Sequence, residues 1–147
     1  GDMLRQDVDG RFFFVDRLKH MIRRSGQNIS AGEVENCLRL HPDVSEVACV
    51  PVPDAMRQEE VMACVVLRSG VPATEQTARS IMDFALERIA YFKAPGGIIF
   101  MEGLPTTHTN KLQKDRIFAE GEDPYARPRA FDLRHLKKRE SAYRASA

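Results

Sequence analysis

The chain has 147 residues, 43% of them hydrophobic, and carries a formal net charge of +1. That length holds one domain, or one domain with a tail, with apolar side chains enough for a packed core. A charge this near zero excludes bulk electrostatic binding of nucleic acid or membrane, no apolar run reaches the length of a membrane span, and no secretory signal opens the sequence.

Cys37, Cys49 and Cys64 each sit inside an apolar run, and none is paired as CxxC. Buried reduced thiols of a cytoplasmic protein fit this better than metal or disulfide chemistry. The four histidines are scattered without zinc-type spacing, so no metal ligands are expected. The chain begins Gly1-Asp2-Met3, close to a strand-like run, and is expected to be a piece of something larger.

Met3 to Asp7 and Arg11 to Asp16 read as strands joined through Asp9-Gly10, a dipeptide that favours hairpin turns. Phe12 to Val15 form an unbroken apolar run expected to be buried. Met21 to Arg24 is a short extended piece, and Gly26 marks a tight turn or a close backbone approach. Ser30 and Glu33 fit a capping box, opening a helix whose Val34, Cys37 and Leu38 share one face. His41-Pro42 ends it. Val44 to Val52 and Glu60 to Arg68 read as strands with continuous apolar centres, typical of strands covered on at least one face. Thr74 to Ala90 is the clearest helix, with Ala78, Ile81, Met82, Ala85, Leu86 and Ile89 in one stripe. Ile98 to Met101 is a last short strand, Pro105 to Asn110 a polar loop, and Leu112 to Glu120 a candidate final helix.

From Gly121 onward seven basic residues stand against four acidic ones. This stretch reads as an extension outside the core, solvated or laid along the surface. The element order predicts an α+β fold: a small mixed β-sheet flanked by two or three helices, preceded by an N-terminal β-hairpin.

Few residues carry chemistry on their own. Arg17, Lys19, Arg23 and Arg24 surround two extended runs and a glycine turn. Taken alone, they fit either a phosphate or carboxylate site or a solvated basic edge, and the second is the commoner outcome. Lys111 follows Asn110 in a polar loop, where a lysine is usually surface charge. There is no Walker A loop, no GxGxxG and no GxSxG.

Taken together, the segments resemble the C-terminal domain of the adenylate-forming superfamily: acyl- and aryl-CoA ligases, luciferases and peptide-synthetase adenylation domains. Gly1-Asp2 resembles the end of that family's TGD motif. DGRFFFVDRLKHMIRRSGQNISAGEVE resembles its hinge motif, and HPDVSEVACVPVPDAMRQEEVMACVVL, YFKAP and LPTTHTNKLQKDRI follow in the expected order over about residues 1–120. The hinge motif is more similar to CoA ligases, including carnitine/crotonobetaine-type ligases, than to peptide-synthetase domains.

The resemblance implies a division into an N-terminal hairpin and hinge lead-in (1–18), the C-terminal AMP-binding-enzyme domain (19–120) and a basic extension (121–147). It implies an ATP-dependent, Mg²⁺-dependent enzyme that converts a carboxylate to acyl-AMP and then to a CoA thioester. The catalytic lysine aligns with Lys111, with Lys114 a nearby competitor. Asp2, Arg17 and Asn28 align with residues that contact the nucleotide, and Lys19 with the hinge. Ser25, Gly26 and Gln27 align with the turn that meets the pantetheine of CoA. The family's large N-terminal domain would be the partner, and the chain alone is expected to be inactive. Departures from the family pattern are Asn110 where glycine is common, Ala31 where proline is common, and Gln58 where glycine is common. Two rival readings keep part of this: the same fold serving a carrier-protein or luciferase-type acceptor, and a freestanding interaction module without catalysis.

Overall fold

The computed structural model describes residues 21–137. The expected hairpin around Asp9-Gly10, with its phenylalanine strand, lies outside the described residues, as do Asp2, Arg17 and Lys19.

Strands β1 (Met21–Arg24) and β2 (Gln27–Ser30) form a tight antiparallel hairpin. Helix α1 (Ala31–Leu38) follows directly, and Ser30 caps it by accepting from the backbone N–H of Glu33. The reciprocal half of the expected capping box is replaced: the Glu33 carboxylate instead pairs with Lys93 at 3.0 Å. Strands β3 (Val44–Asp54) and β4 (Gln58–Leu67) form a long antiparallel pair. Helix α2 (Glu75–Leu86), capped by Thr74, crosses over to β5 (Gly97–Phe100), which lies parallel to β4. A 3₁₀ turn at Tyr91–Lys93 precedes β5, and another stands at Lys114–Arg116. The last strand, β6 (Ala130–Asp132), runs antiparallel to β5.

The six strands make one open mixed sheet in the order β2-β1-β4-β5-β6, with β3 on the other side of β4. Together with the two helices it is the expected α+β architecture. The unbroken apolar runs are explained by burial of both faces. Val47 and Cys49 of β3, Val61, Ala63 and Val65 of β4, and Ile98 and Phe100 of β5 pack with α1 and α2. Their alternating neighbours Ala48, Val50, Met62, Cys64 and Ile99 pack on Ile117, Phe118 and Tyr125. Helices thus cover one face, and irregular chain from beyond Leu104 covers the other.

Three expectations are corrected. Leu112 to Glu120 forms no α-helix beyond the one 3₁₀ turn. Its apolar residues make no helical stripe, Leu112 bridges Thr106, and only Ile117 is buried. Second, residues 121–137 do not stay outside the core. Their strand β6 completes the sheet, Leu133 is 1% exposed, and Lys137 is buried. The clearest helix is also shorter than its apolar stripe, because Ile89 belongs to the turn after Leu86 and is only partly buried.

Two candidate loops and their anchors

The first loop is the Ser25-Gly26 turn. Two residues connect β1 to β2, with Arg24 opposite Gln27, and both have positive φ, +52° and +80°. That matches the twist of a two-residue hairpin, and glycine takes it without steric cost. A Cβ on Gly26 would meet nothing within 4 Å, so within this chain φ, not crowding, accounts for the glycine. The turn is tethered sideways: Ser25 N–H donates to the Arg57 carbonyl at 2.9 Å. Ser25, Gly26, Gln27 and Asn28 are all exposed. Arg23 Nε donates to Asn28 Oδ1 at 3.1 Å, leaving the Asn28 NH₂ to donate elsewhere.

The second loop is Pro105–Leu112. Thr106 bridges Leu112, and Gln113 N–H donates to the Pro105 carbonyl. Between these ends Thr107 organises the turn. Its backbone N–H donates to the Lys111 carbonyl at 2.8 Å, and its carbonyl accepts from Asn110. Its hydroxyl accepts from the backbone N–H of both Thr109 and Lys111. Asn110 has φ +65°, so the substitution of asparagine for the family's common glycine is accommodated by a residue that tolerates this region. Lys111 is exposed, and no ion pair engages it among the described residues.

Lys114 meets a different fate. Its ammonium is 2.6 Å from Glu35 and donates to the Cys49 carbonyl at 3.0 Å. Glu35 also accepts from the Cys49 N–H at 2.8 Å. Helix α1, strand β3 and the 3₁₀ turn are joined at this point. Burial pushes the Cys49 thiol well above its ordinary range, with the Glu35 carboxylate adding to it. Burial likewise pushes Cys64 up to about 12. Both are protonated and inert, and all three cysteines are buried and unpaired.

A third anchor lies beneath the first loop. Arg24 Nε meets Glu60 Oε1 at 2.9 Å, and Lys137 Nζ meets Glu60 Oε2 at 2.7 Å. Lys137 also donates to the Phe92 carbonyl. Burial pushes the Lys137 ammonium down to about 8, against the attraction of Glu60. Beside it, Arg134 bridges Asp54 and Asp132 at 3.0 and 2.6 Å. Hydrogen bonding to Arg134 holds the Asp132 carboxyl below its usual range.

The structure therefore brings Ser25, Gly26, Gln27 and Asn28 together on one hairpin and sets Lys111 on a separate turn. No hydrogen bond or ion pair joins the two among the described residues. Sequence reasoning missed Thr107, although its Thr-x-Thr pattern is a turn signal, and Glu35, Glu60 and Lys137, whose partners are remote in sequence.

These loops lie in a region with many known relatives. Residues 33–111 match the family model described as "AMP-binding enzyme C-terminal domain". Over 117 residues the chain is 38% identical to the crotonobetaine/carnitine–CoA ligase of Proteus mirabilis, covering 80% of this chain and 22% of that protein. It is likewise 38% identical to the medium-chain acyl-CoA ligase ACSF2, mitochondrial, of Rattus norvegicus, over 80% of this chain and 18% of that one. The fold superimposes on the crystal structure of ATP-bound MatB from Rhodopseudomonas palustris with a TM-score of 0.61 and 30% identity, covering 66% of this chain and 19% of the other. The chain thus spans about a fifth of the length of its relatives. It belongs to the AMP-binding enzyme C-terminal domain family.

Proposed function

We propose that the chain is the mobile C-terminal domain, from residue 19 onward, of an AMP-forming acyl-CoA ligase that uses ATP, CoA and Mg²⁺. A carboxylate attacks the α-phosphorus of ATP, giving acyl-AMP and pyrophosphate. The thiol of CoA then attacks the acyl carbon and releases AMP. The first step brings two anions together, so a cation at the meeting point lowers its barrier.

Lys111 fills that role. The observation that carries the reading is the contrast between the two lysines of one loop. Lys114 is locked to Glu35 and the Cys49 carbonyl, whereas Lys111 projects from an ordered turn. Asn28, Arg17 and Asp2 contact the adenylate and its ribose, Lys19 is the pivot, and the Ser25-Gly26-Gln27 turn receives the pantetheine after the domain swings. Residues 1–18 lead into that pivot. The partner is the large N-terminal domain, which supplies the acyl pocket. It also holds the metal-binding carboxylate. Without that domain the chain is inactive. CoA is favoured over a carrier protein as acceptor because the relatives are named as CoA ligases. Buried, unpaired cysteines support a reducing compartment, and we place the enzyme in the cytoplasm. Among the described residues no helix is long and apolar enough to cross a membrane.

The test uses the intact enzyme. Lys111→Ala lowers acyl-AMP formation by about a hundredfold or more, read as pyrophosphate release. It leaves thioester formation from supplied acyl-AMP close to wild type. Equal loss of both half-reactions defeats the assignment.

A further inference from the structure

Ile22 and Ile29 anchor the base of the hairpin in the core, and few polar contacts fix the Ser25-Gly26 turn beyond them. Strand β1 pairs with β4 at a single register position, Arg24 opposite Gln58. Two hydrogen bonds add to it: Ser25 N–H to the Arg57 carbonyl, and Arg23 N–H to Glu59 Oε1 at 2.8 Å. The remaining polar hold, beside the burial of Ile22 and Ile29 in the core, is the side chain of Arg24, the residue immediately before the turn. It reaches inward to Glu60, and both side chains are almost wholly buried, 6% and 1% exposed.

Glu60 is itself fixed from the far side. Its Oε2 accepts from Lys137 Nζ at 2.7 Å and from the Val61 N–H at 2.9 Å. Lys137 is 0% exposed at its side chain, and its ammonium also donates to the Phe92 carbonyl. Gly96 leaves the room this requires, since a Cβ there would lie 2.5 Å from Glu60 Cδ. The segment carrying Lys137 is stitched down by β6 and by Leu133 N–H donating to the Gly96 carbonyl at 2.8 Å. The match to the family model ends at Lys111, well before Lys137.

We infer that Lys137 is a positioning residue: through Glu60 and Arg24 it sets the placement of the Ser25-Gly26 turn, and so serves the thioester-forming step and not the adenylating one. This rests on the reading of that turn as the pantetheine contact. A buried carboxylate gripped from both sides has one orientation. Released on one side it has several, and Arg24 follows it. Displacing a binding turn by a fraction of an ångström weakens capture of the thiol arm without touching a lysine loop anchored elsewhere.

The experiment compares three single variants, and the Lys137→Met/Glu60→Gln double variant, with wild type in the intact enzyme. Lys137→Met removes the ammonium, Glu60→Gln keeps the shape but weakens both ion pairs, and Gly26→Trp obstructs the turn itself. Acyl-AMP formation is followed as pyrophosphate release without CoA. Thioester formation from supplied acyl-AMP is followed against CoA concentration, below the thermal midpoint of each protein. Lys137→Met and Glu60→Gln are each expected to raise the KM for CoA at least fivefold, with acyl-AMP formation within twofold of wild type. The double variant is expected to fall well short of the product of the two single effects. An unchanged KM for CoA in Lys137→Met and Glu60→Gln, while Gly26→Trp raises it, overturns the brace alone. An unchanged KM in Gly26→Trp removes the turn reading and the brace with it. Equal decline of both half-reactions in Glu60→Gln marks a general structural role and also overturns the inference.

Discussion

Lys111, Lys114 and Lys137 share a chemistry but not an environment, and at the residue scale environment decides role. Lys111 ends an ordered turn with its ammonium exposed, Lys114 is neutralised by Glu35, and Lys137 is drawn wholly inside. The last has a measurable signature. Folded Lys137 releases its proton near pH 8, against an ordinary 10.5. Between those values the unfolded chain binds more protons than the folded one, so stability contributed at this site rises with pH across that window and is flat below it. The span corresponds to roughly 3 kcal/mol at most. Urea melts of wild type and Lys137→Met at pH 7.5 and pH 10 should show their difference in unfolding free energy moving in favour of wild type at the higher pH. A difference that stays constant means Lys137 titrates normally. Of the three lysines, the sequence reading singled out Lys111, with Lys114 as its competitor, through the order of motifs around them, and passed over Lys137. Lys137 gives no local signal, because its burial is decided by a carboxylate 77 positions away.

At the scale of elements, the start of β4 is strained where the family pattern has glycine. Gln58 sits at φ +73°, opposite both Asp54 and Arg24. A side chain in the left-handed region costs about 1–2 kcal/mol, which the extra backbone freedom of glycine offsets only partly. Gln58→Gly is therefore expected to raise the unfolding free energy by up to about 1 kcal/mol, read as a higher urea midpoint with an unchanged slope. A lower midpoint would mean that the Gln58 side chain contributes more than its backbone costs. Helices and strands were readable here because each carries its own signals: Ser30 as a cap, the stripe from Ala78 to Leu86, the apolar runs of β3 and β4. Residues 112–120 were misread as a helix because proximity to Thr106 and Glu35, not local periodicity, shapes them.

At the scale of the whole molecule, residues 121–137 are part of the domain's architecture. They contribute β6, the buried Leu133, and Phe131 packed against Phe100 with ring centroids 5.8 Å apart. Their basic, proline-containing composition pointed outward, and composition cannot reveal an edge strand of three residues. Leu133→Ala in the intact enzyme is expected to cost about 2–5 kcal/mol. Ending the chain after Arg129 would also bare the outer edge of β5, whose backbone groups would then be open to pairing with another molecule. Light scattering of that shortened enzyme should show self-association that Leu133→Ala alone does not, and a monodisperse product would mean that β5 is protected by something else.

The placement of β6 also sets an order of events during synthesis. β4 and β5 are parallel and joined through α2, so their pairing waits for the crossover to form. Even then β5 has a bare edge until β6 emerges from the ribosome, and Glu60 has only one of its two cations until Lys137 does. At a few residues per second to some twenty, the interval between Phe100 and Lys137 is on the order of seconds. For that time the nascent domain holds an open strand edge and a half-satisfied buried carboxylate, the condition in which a chaperone, or a neighbouring chain on the same message, would find it most receptive.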